Sequence, residues 1–313
     1  MAYLHYNRIM PSPTLQPIFT QQFPRGSQAF NDLINTNVSL ALAEDIGAGD
    51  LTAQLIPANQ NSEATIISRE NAIICGIDWV NACFYQLDKN SQIKWHVSEG
   101  DKVAANQLLC EISSNARALL TAERCALNFL QTLSAVATQT RAYVDAIADT
   151  NAQILDTRKT LPGLRLAQKY AVTVGGGFNQ RLALYDGILI KENHIISAKI
   201  SAMQTNIHAA LRHASKISKD TKNKNIGIQI EVENLDELQQ ALDADATSIL
   251  LDNFTLSDMK IAVKINAKKA LLEASGNVNL QTVRAIAETG VDRISVGAIT
   301  KNIRAIDLSM RIK

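Results

Sequence analysis

The sequence predicts an α/β protein: a small antiparallel sheet with helices, followed by a (β/α) barrel that is incomplete by strand count. Three observations carry this. Residues 63–112 are short β-branched runs broken by Gly, Asn and Asp, the pattern of antiparallel strands. Residues 117–149 carry apolar residues at three- and four-residue spacing with few breakers, the pattern of helices. Beyond residue 150, strand-like and helix-length segments alternate, which implies parallel pairing through right-handed crossovers.

Taken in order, residues 1–28 lack the apolar core of a signal peptide and read as a loosely ordered leader. The segment LALAEDIGAGDLTAQLIP passes from a short helix through Gly47 and Gly49 and stops at Pro57. ATIISRE, AIICGID, IKWHVSEGDKV and LLCEIS follow as strands, then RALLTAERCALNFLQTLSAVATQTRAYVDAIADT as helix. The barrel strands are AQILDT, DGILIK, IGIQIEV, SILLDN, LLEAS and RISVG, with room for one more near the glycines at 175–177. Between them lie helical segments such as LRLAQKYAV, NLDELQQALDA and NLQTVRAIAETG.

Composition narrows the function classes. The chain has 313 residues, 46% apolar and 19% charged, enough for a large core and two domains. A net charge of +1 argues against general binding to nucleic acid or membrane surfaces. No apolar run is long enough to cross a bilayer. Cys75, Cys83, Cys110 and Cys125 form no Cys-x-x-Cys pair and read as reduced core thiols, hence a cytoplasmic protein without structural zinc.

Polar residues collect where the barrel strands end. Arg158 and Lys159 follow the first; Lys191, Glu192, Asn193 and His194 the second; Glu231 and Glu233 the third. Asp252 and Asn253, Ser275 and Gly276, and Gly297 follow the rest. In a β/α barrel these ends share one face, which carries the active site. Arg158, Lys159, Arg181 and Lys191 would repel one another unless an anion joins them. Glu233 and Asp252 suit sugar hydroxyls or a magnesium ion. Ser275, Gly276 and Gly297 allow backbone N–H groups to approach a phosphate. The expected ligands are a polyanionic small molecule and a phosphorylated sugar. Gly175, Gly176 and Gly177 read as a turn whose backbone approaches ligand and delivers Arg181. Lys191 also admits a Schiff-base reading, which three neighbouring cations disfavour. His194, opening a helix, reads as a cap or packing partner.

The runs DTRKTLPGLRLAQKYAV, GGGFNQRLALYDGILIKENHI, IEVENLDEL, ILLDNF, LEASGN and TGVDRISVGAIT resemble, in this order, the quinolinate phosphoribosyltransferases. EDIGAGDLT and ERCALNFL extend the resemblance toward the N-terminus. The resemblance implies a type II phosphoribosyltransferase-like fold: an N-terminal α/β sandwich domain over residues 1–135 and a seven-stranded, incomplete α/β barrel over 136–302. The tail from about 303 to 313 would pack back on the first domain. It further implies formation of nicotinate mononucleotide, carbon dioxide and pyrophosphate from quinolinate and phosphoribosyl pyrophosphate, with Mg2+. Arg158, Arg181 and Lys191 would hold the quinolinate carboxylates, and Lys159 would face the phosphorylated substrate. Glu233 and Asp252 would meet ribose hydroxyls and metal; Ser275, Gly276 and Gly297 would cradle the 5′-phosphate. Arg124 would enter from the neighbouring subunit of a homodimer, alone or within a larger oligomer. The family commonly has histidine where this chain has Gln180, which would meet the quinolinate edge as an uncharged donor. That departure keeps open a same-fold enzyme acting on a different anion.

Overall fold

The structure, a computed structural model, describes residues 18–197, 206–220 and 226–313. Residues 1–17 of the expected leader lie outside these. The part of it that is described is ordered: α1 (Ile18–Gln22) buries Phe19 and precedes α2 (Gln28–Ile46), whose N-cap Ser27 accepts a hydrogen bond from Phe30 N at 3.2 Å. Aromatic contact holds α1 in place. Phe19 lies against Phe23, Phe30 and Tyr170, and Trp79 stands edge-on to Phe30. The expectation of a loose leader is corrected for residues 18–28.

The first sheet comes from β1 (Asn61–Ser68), β3 (Gln92–Trp95), β5 (Leu108–Asn115) and, from the far end of the chain, β12 (Leu308–Ile312). Its order is β12-β1-β5-β3, all antiparallel, while β2 (Ala72–Ile73) and β4 (Lys102–Val103) pair separately. The burial of β1 alternates along its length, as one packed face requires. Helix α3 (Ile77–Leu87) packs against α2 and against α4 (Ala116–Ala146). Asn115 caps α4 by accepting from Arg117 N and Ala118 N. At 31 residues, α4 runs roughly 46 Å and packs on both the sheet and the barrel.

The barrel follows as β6 (Gln153–Leu155), α5 (Arg165–Val174), β7 (Gly187–Ile190), α6 (Glu192–Ser197), α7 (Asn206–Asp220), β8 (Gly227–Val232) and α8 (Leu235–Asp243). It continues through β9 (Ser248–Asp252), α9 (Leu256–Asn266), β10 (Leu271–Ser275), α10 (Val283–Ala287), β11 (Arg293–Ser295) and α11 (Ala298–Lys301). Six strands pair in parallel in the order β6-β11-β10-β9-β8-β7. A parallel bridge from Phe178 to Leu155 adds a seventh, very short strand beyond β6. Among the described residues no ladder joins it to β7. Arg181 spans that gap instead, Nη1 donating to Gly187 O at 2.8 Å.

The three glycines bring this short strand under α4. A Cβ at Gly175 would lie 2.6 Å from both Ala137 O and Thr140 Cβ, and one at Gly177 would lie 2.7 Å from Thr140 Cγ2. Gly176 has φ +89°, a left-handed conformation. The close approach demanded of Gly175 and Gly177 is therefore to a helix, which corrects the expected approach to ligand. All four cysteines are buried thiols; burial pushes Cys125 up to about 11 and Cys110 up to about 12.

Gly175→Ala is expected to destabilise the protein by about 1–3 kcal/mol, read as a lower urea midpoint at unchanged m-value. A second outcome concerns acid. Asp88 accepts from Asn115 N, Ser114 Oγ and Asn90 N, and these bonds hold its carboxyl below the usual range. A depressed folded pKa means stability present at neutral pH and lost as pH falls through it. Asp88→Asn should therefore lower the melting temperature at pH 7, and the difference from wild type should shrink below about pH 4.

Candidate active site

The site is built outward from a charge the barrel keeps inside. Asp156, directly after β6, is fully buried and accepts from Lys169 Nζ of α5 at 2.6 Å; the lysine is fully buried too. Oδ1 also accepts from Gln180 N at 3.0 Å, and Oδ2 accepts from Asn179 Nδ2 at 2.8 Å. Burial pushes the Asp156 carboxyl up, opposed by Lys169 and by these amide donors. One carboxylate thus ties β6, α5 and the short strand at Phe178. The chain leaves this anchor in two directions, reaching Arg158 two residues after Asp156 and Arg181 beside Gln180.

Arg158 and Arg181 are half-buried, and the Nε of each is buried without a hydrogen-bond partner. Burial first, then the charge of Arg158, lowers the Arg181 pKa, while Asp186 acts in the opposite sense. Two guanidiniums close enough to feel one another, each with an unmatched donor, have the chemistry that suits a carboxylate or another planar anion. Arg165 supports the turn from below: Nε donates to Thr160 Oγ1 and Nη2 to Arg158 O.

Lys159 is exposed, and Thr300 Oγ1 donates to its carbonyl at 2.7 Å. Its stem lies across Gly297, where a Cβ would stand 3.1 Å from Lys159 Cδ. Ser275 and Gly276 close the next corner. Asn253 N donates to Ser275 O at 3.0 Å, Asn253 Nδ2 donates to Asp252 Oδ2 at 2.9 Å, and a Cβ on Gly276 would collide with the Asn253 side chain. The structure thus brings Asp252, Ser275 and Gly276 together, and Lys159 with Gly297.

On β7 and β8 the arrangement differs from expectation in one respect. Lys191 Nζ donates to Glu231 Oε2 at 2.7 Å, so its charge already has a carboxylate neighbour. Glu231 has only 11% of its side chain exposed, whereas Glu233 lies in the open. The charge of Glu192 first, with Glu237 and Asp252 adding to it, pushes the Glu233 carboxyl up. Among the described residues Glu233 and Asp252 form no ion pair, and no three side chains converge as a metal cage. Under-compensated carboxylates at an open strand end fit a magnesium ion completed by water and substrate oxygens. His194 Nδ1 accepts from Lys191 N at 3.0 Å, a capping role. Arg124 is exposed on α4 and, among the described residues, makes no hydrogen bond or ion pair and is not part of the cluster.

Gln180 has both ends of its amide engaged by protein: Oε1 accepts from Arg181 N at 2.8 Å and Nε2 donates to Gln229 Oε1 at 3.0 Å. Nε2 keeps a second N–H, so donation to a ligand edge, as the sequence suggested, requires neither of these bonds to break. Reading strand ends alone passed over two residues, Gln229 and Glu273. The signal that finds them is alternation: Gln229 shares one face of β8 and its neighbouring turn with Glu231 and Glu233, and Glu273 one face of β10 with Ser275.

A parallel barrel with guanidiniums, lysines, carboxylates and small residues ranged round its strand ends is that of an α/β-barrel enzyme for anionic substrates. The quinolinate phosphoribosyl transferase C-terminal domain matches residues 136–311 and the N-terminal domain of the same family matches residues 50–134. The chain belongs to this family. It is 37% identical over 269 residues to a probable nicotinate-nucleotide pyrophosphorylase (carboxylating) of Bacillus subtilis, covering 86% of this chain and 90% of the relative. It is also 37% identical over 292 residues to a mitochondrial quinolinate phosphoribosyltransferase (decarboxylating) of Nicotiana tabacum, covering 88% and 81%. The solved nicotinate-nucleotide pyrophosphorylase of Francisella tularensis superimposes with a TM-score of 0.84 at 49% identity, covering 90% of this chain and 97% of that one.

Replacing Lys169 with Met would leave Asp156 charged, buried and short of its cation. The expected cost is about 3–5 kcal/mol of unfolding free energy by denaturant titration; a loss no larger than that of a surface substitution would contradict the anchoring role.

Proposed function

We propose that this chain transfers the phosphoribosyl group of phosphoribosyl pyrophosphate to quinolinate with decarboxylation, giving nicotinate mononucleotide, pyrophosphate and carbon dioxide for NAD biosynthesis. The observation that carries the reading to these residues is the Arg158–Arg181 pair, two half-buried guanidiniums each with an unmatched Nε. They would grip the vicinal carboxylates of quinolinate, with Lys191 completing the clamp by turning from Glu231. The pyridine nitrogen then faces the anomeric carbon, forms the N-glycosidic bond there, and pyrophosphate departs with the bonding pair. The ring, now cationic, stabilises the electron pair left on C2 as the 2-carboxylate leaves as carbon dioxide, and C2 then takes a proton from water. Orientation and charge supply the catalysis, and no covalent enzyme intermediate is needed.

Lys159 would meet the phosphorylated substrate, with Ser275, Gly276 and Gly297 receiving the 5′-phosphate on small residues. Glu233 and Asp252 would bind ribose hydroxyls and Mg2+, which when bound offsets charge on the pyrophosphate. Arg124, exposed on α4 with no partner among the described residues, suits a contribution to the site of a neighbouring subunit, which makes a homodimer the smallest complete unit. Buried, high-pKa thiols suit a reducing cytoplasm. No helix among the described residues is long and apolar enough to cross a membrane.

The assay is direct: quinolinate, phosphoribosyl pyrophosphate and magnesium, with carbon dioxide and nicotinate mononucleotide followed together. Turnover of nicotinate in place of quinolinate would overturn the substrate assignment. Arg158→Ala is expected to raise the KM for quinolinate about 100-fold, on the scale of a lost charge-assisted bidentate contact. Near-normal quinolinate affinity in that variant would remove Arg158 from the clamp.

A further inference from the structure

The barrel interior holds a line of polar side chains that the strand-end chemistry does not use. Gln180 on the loop after the short strand, Gln229 on β8 and Glu273 on β10 all face one cavity of about 520 Å³, which Arg181 and Arg293 also line. Their hydrogen bonds run in a single direction. Arg181 N donates to Gln180 Oε1 at 2.8 Å, Gln180 Nε2 to Gln229 Oε1 at 3.0 Å, and Gln229 Nε2 to Glu273 Oε2 at 2.9 Å. The line skips β9, which lies between β8 and β10 in the sheet, and so crosses the barrel interior.

As a stability device this line is poor. Gln229 and Glu273 are buried, and Glu273 Oε1 has no partner, so burial of these groups is only partly compensated. As an orienting device it is well formed. A primary amide can be flipped end for end unless one of its neighbours is a pure donor or acceptor. Glu273 Oε2, accepting, turns the Gln229 nitrogen toward itself and the Gln229 oxygen toward Gln180. That in turn points the Gln180 nitrogen at Gln229 and leaves its oxygen for Arg181 N–H. The backbone of the arginine loop is then held at two successive amides, Gln180 N by Asp156 and Arg181 N by the Gln180 side chain.

We propose that Gln180, Gln229 and Glu273 form an interior positioning relay that sets the Arg181 guanidinium for the carboxylate of the pyridine substrate. None of the three needs to touch the reacting atoms. Burial pushes the Glu273 carboxyl up, and a glutamine at 273 would still present an amide oxygen to Gln229 Nε2 where Oε2 accepts now. Glutamine at 273 is therefore the conservative replacement, and leucine, similar in size without an acceptor, the disruptive one.

The inference rests on the function proposed above, and the test separates the two. Wild-type turnover of quinolinate decides that reading. The relay is decided on variants, by the KM values for the two substrates and by amide hydrogen exchange of the segment 178–187, which needs no substrate. Glu273→Leu should raise the quinolinate KM about tenfold, the scale of one hydrogen bond, with the phosphoribosyl pyrophosphate KM within about twofold of wild type. Exchange in 178–187 should quicken. Glu273→Gln should restore both readouts. Should the leucine variant fail to fold, Gln229→Met breaks the line at its middle and is expected to show the same split. Equal changes in both KM values, unchanged exchange in 178–187, or a glutamine variant as impaired as the leucine one would overturn the proposal.

Discussion

The buried pair of Asp156 and Lys169 is the constraint from which the site follows. Both side chains are sealed from water at 2.6 Å, so neither charge could be there alone. An apolar pair of similar volume would hold β6 against α5 about as well or better. What it could not do is accept from Asn179 and Gln180, and through those bonds the carboxylate fixes a loop that has no ladder of its own beyond one bridge. The same residue therefore sets the takeoff of Arg158 on one side and of Arg181 on the other. Two cations that repel each other thus stand on segments that one buried anion ties together. Gly175 and Gly177 serve that geometry indirectly, because only a backbone without Cβ lets the short strand lie close enough to α4 to reach Asp156.

From this anchor the charge of the barrel mouth divides. The strands nearest Asp156 contribute cations, and β7 to β9 contribute the carboxylates Glu192, Glu231, Glu233 and Asp252. β10 and β11 end in residues too small to exclude a phosphate. A dicarboxylate and a phosphorylated sugar with its metal would sort themselves between these regions by charge before any finer contact forms. Lys191, paired to the mostly buried Glu231, stands at the border of the two halves.

Much of this was legible in the sequence, because barrel strands are short apolar runs and their polar ends recur at the same offset. The parallel order, the α4 spine and the strand-end cations all follow from periodicity. Other features escape it. Helix α1 lies in a polar, proline-containing stretch, and only the burial of Phe19 among Phe30 and Tyr170 shows why it is ordered. The glycines announced a close approach, but to α4 and not to the ligand the sequence suggested. Gln229 and Glu273 sit in the middle of strands, where a polar residue looks like a blemish in an apolar run until the topology places both in one cavity. Glu231 and Glu233 differ by two positions on one face, and burial alone separates them.

Position 180 gathers these strands of argument. The family resemblance places histidine there, and a neutral imidazole offers one donor and one acceptor. Glutamine offers the same two functions at similar reach, and in this chain the acceptor serves Arg181 N while the donor serves Gln229. The connection survives the exchange; what disappears is a group that titrates near neutrality between Arg158, Arg181 and buried Glu273. An imidazolium at that point would add positive charge beside two guanidiniums and could no longer accept from Arg181 N. The glutamine holds the arginine loop in one hydrogen-bonded state across the physiological pH range, so the grip of Arg181 depends on geometry alone.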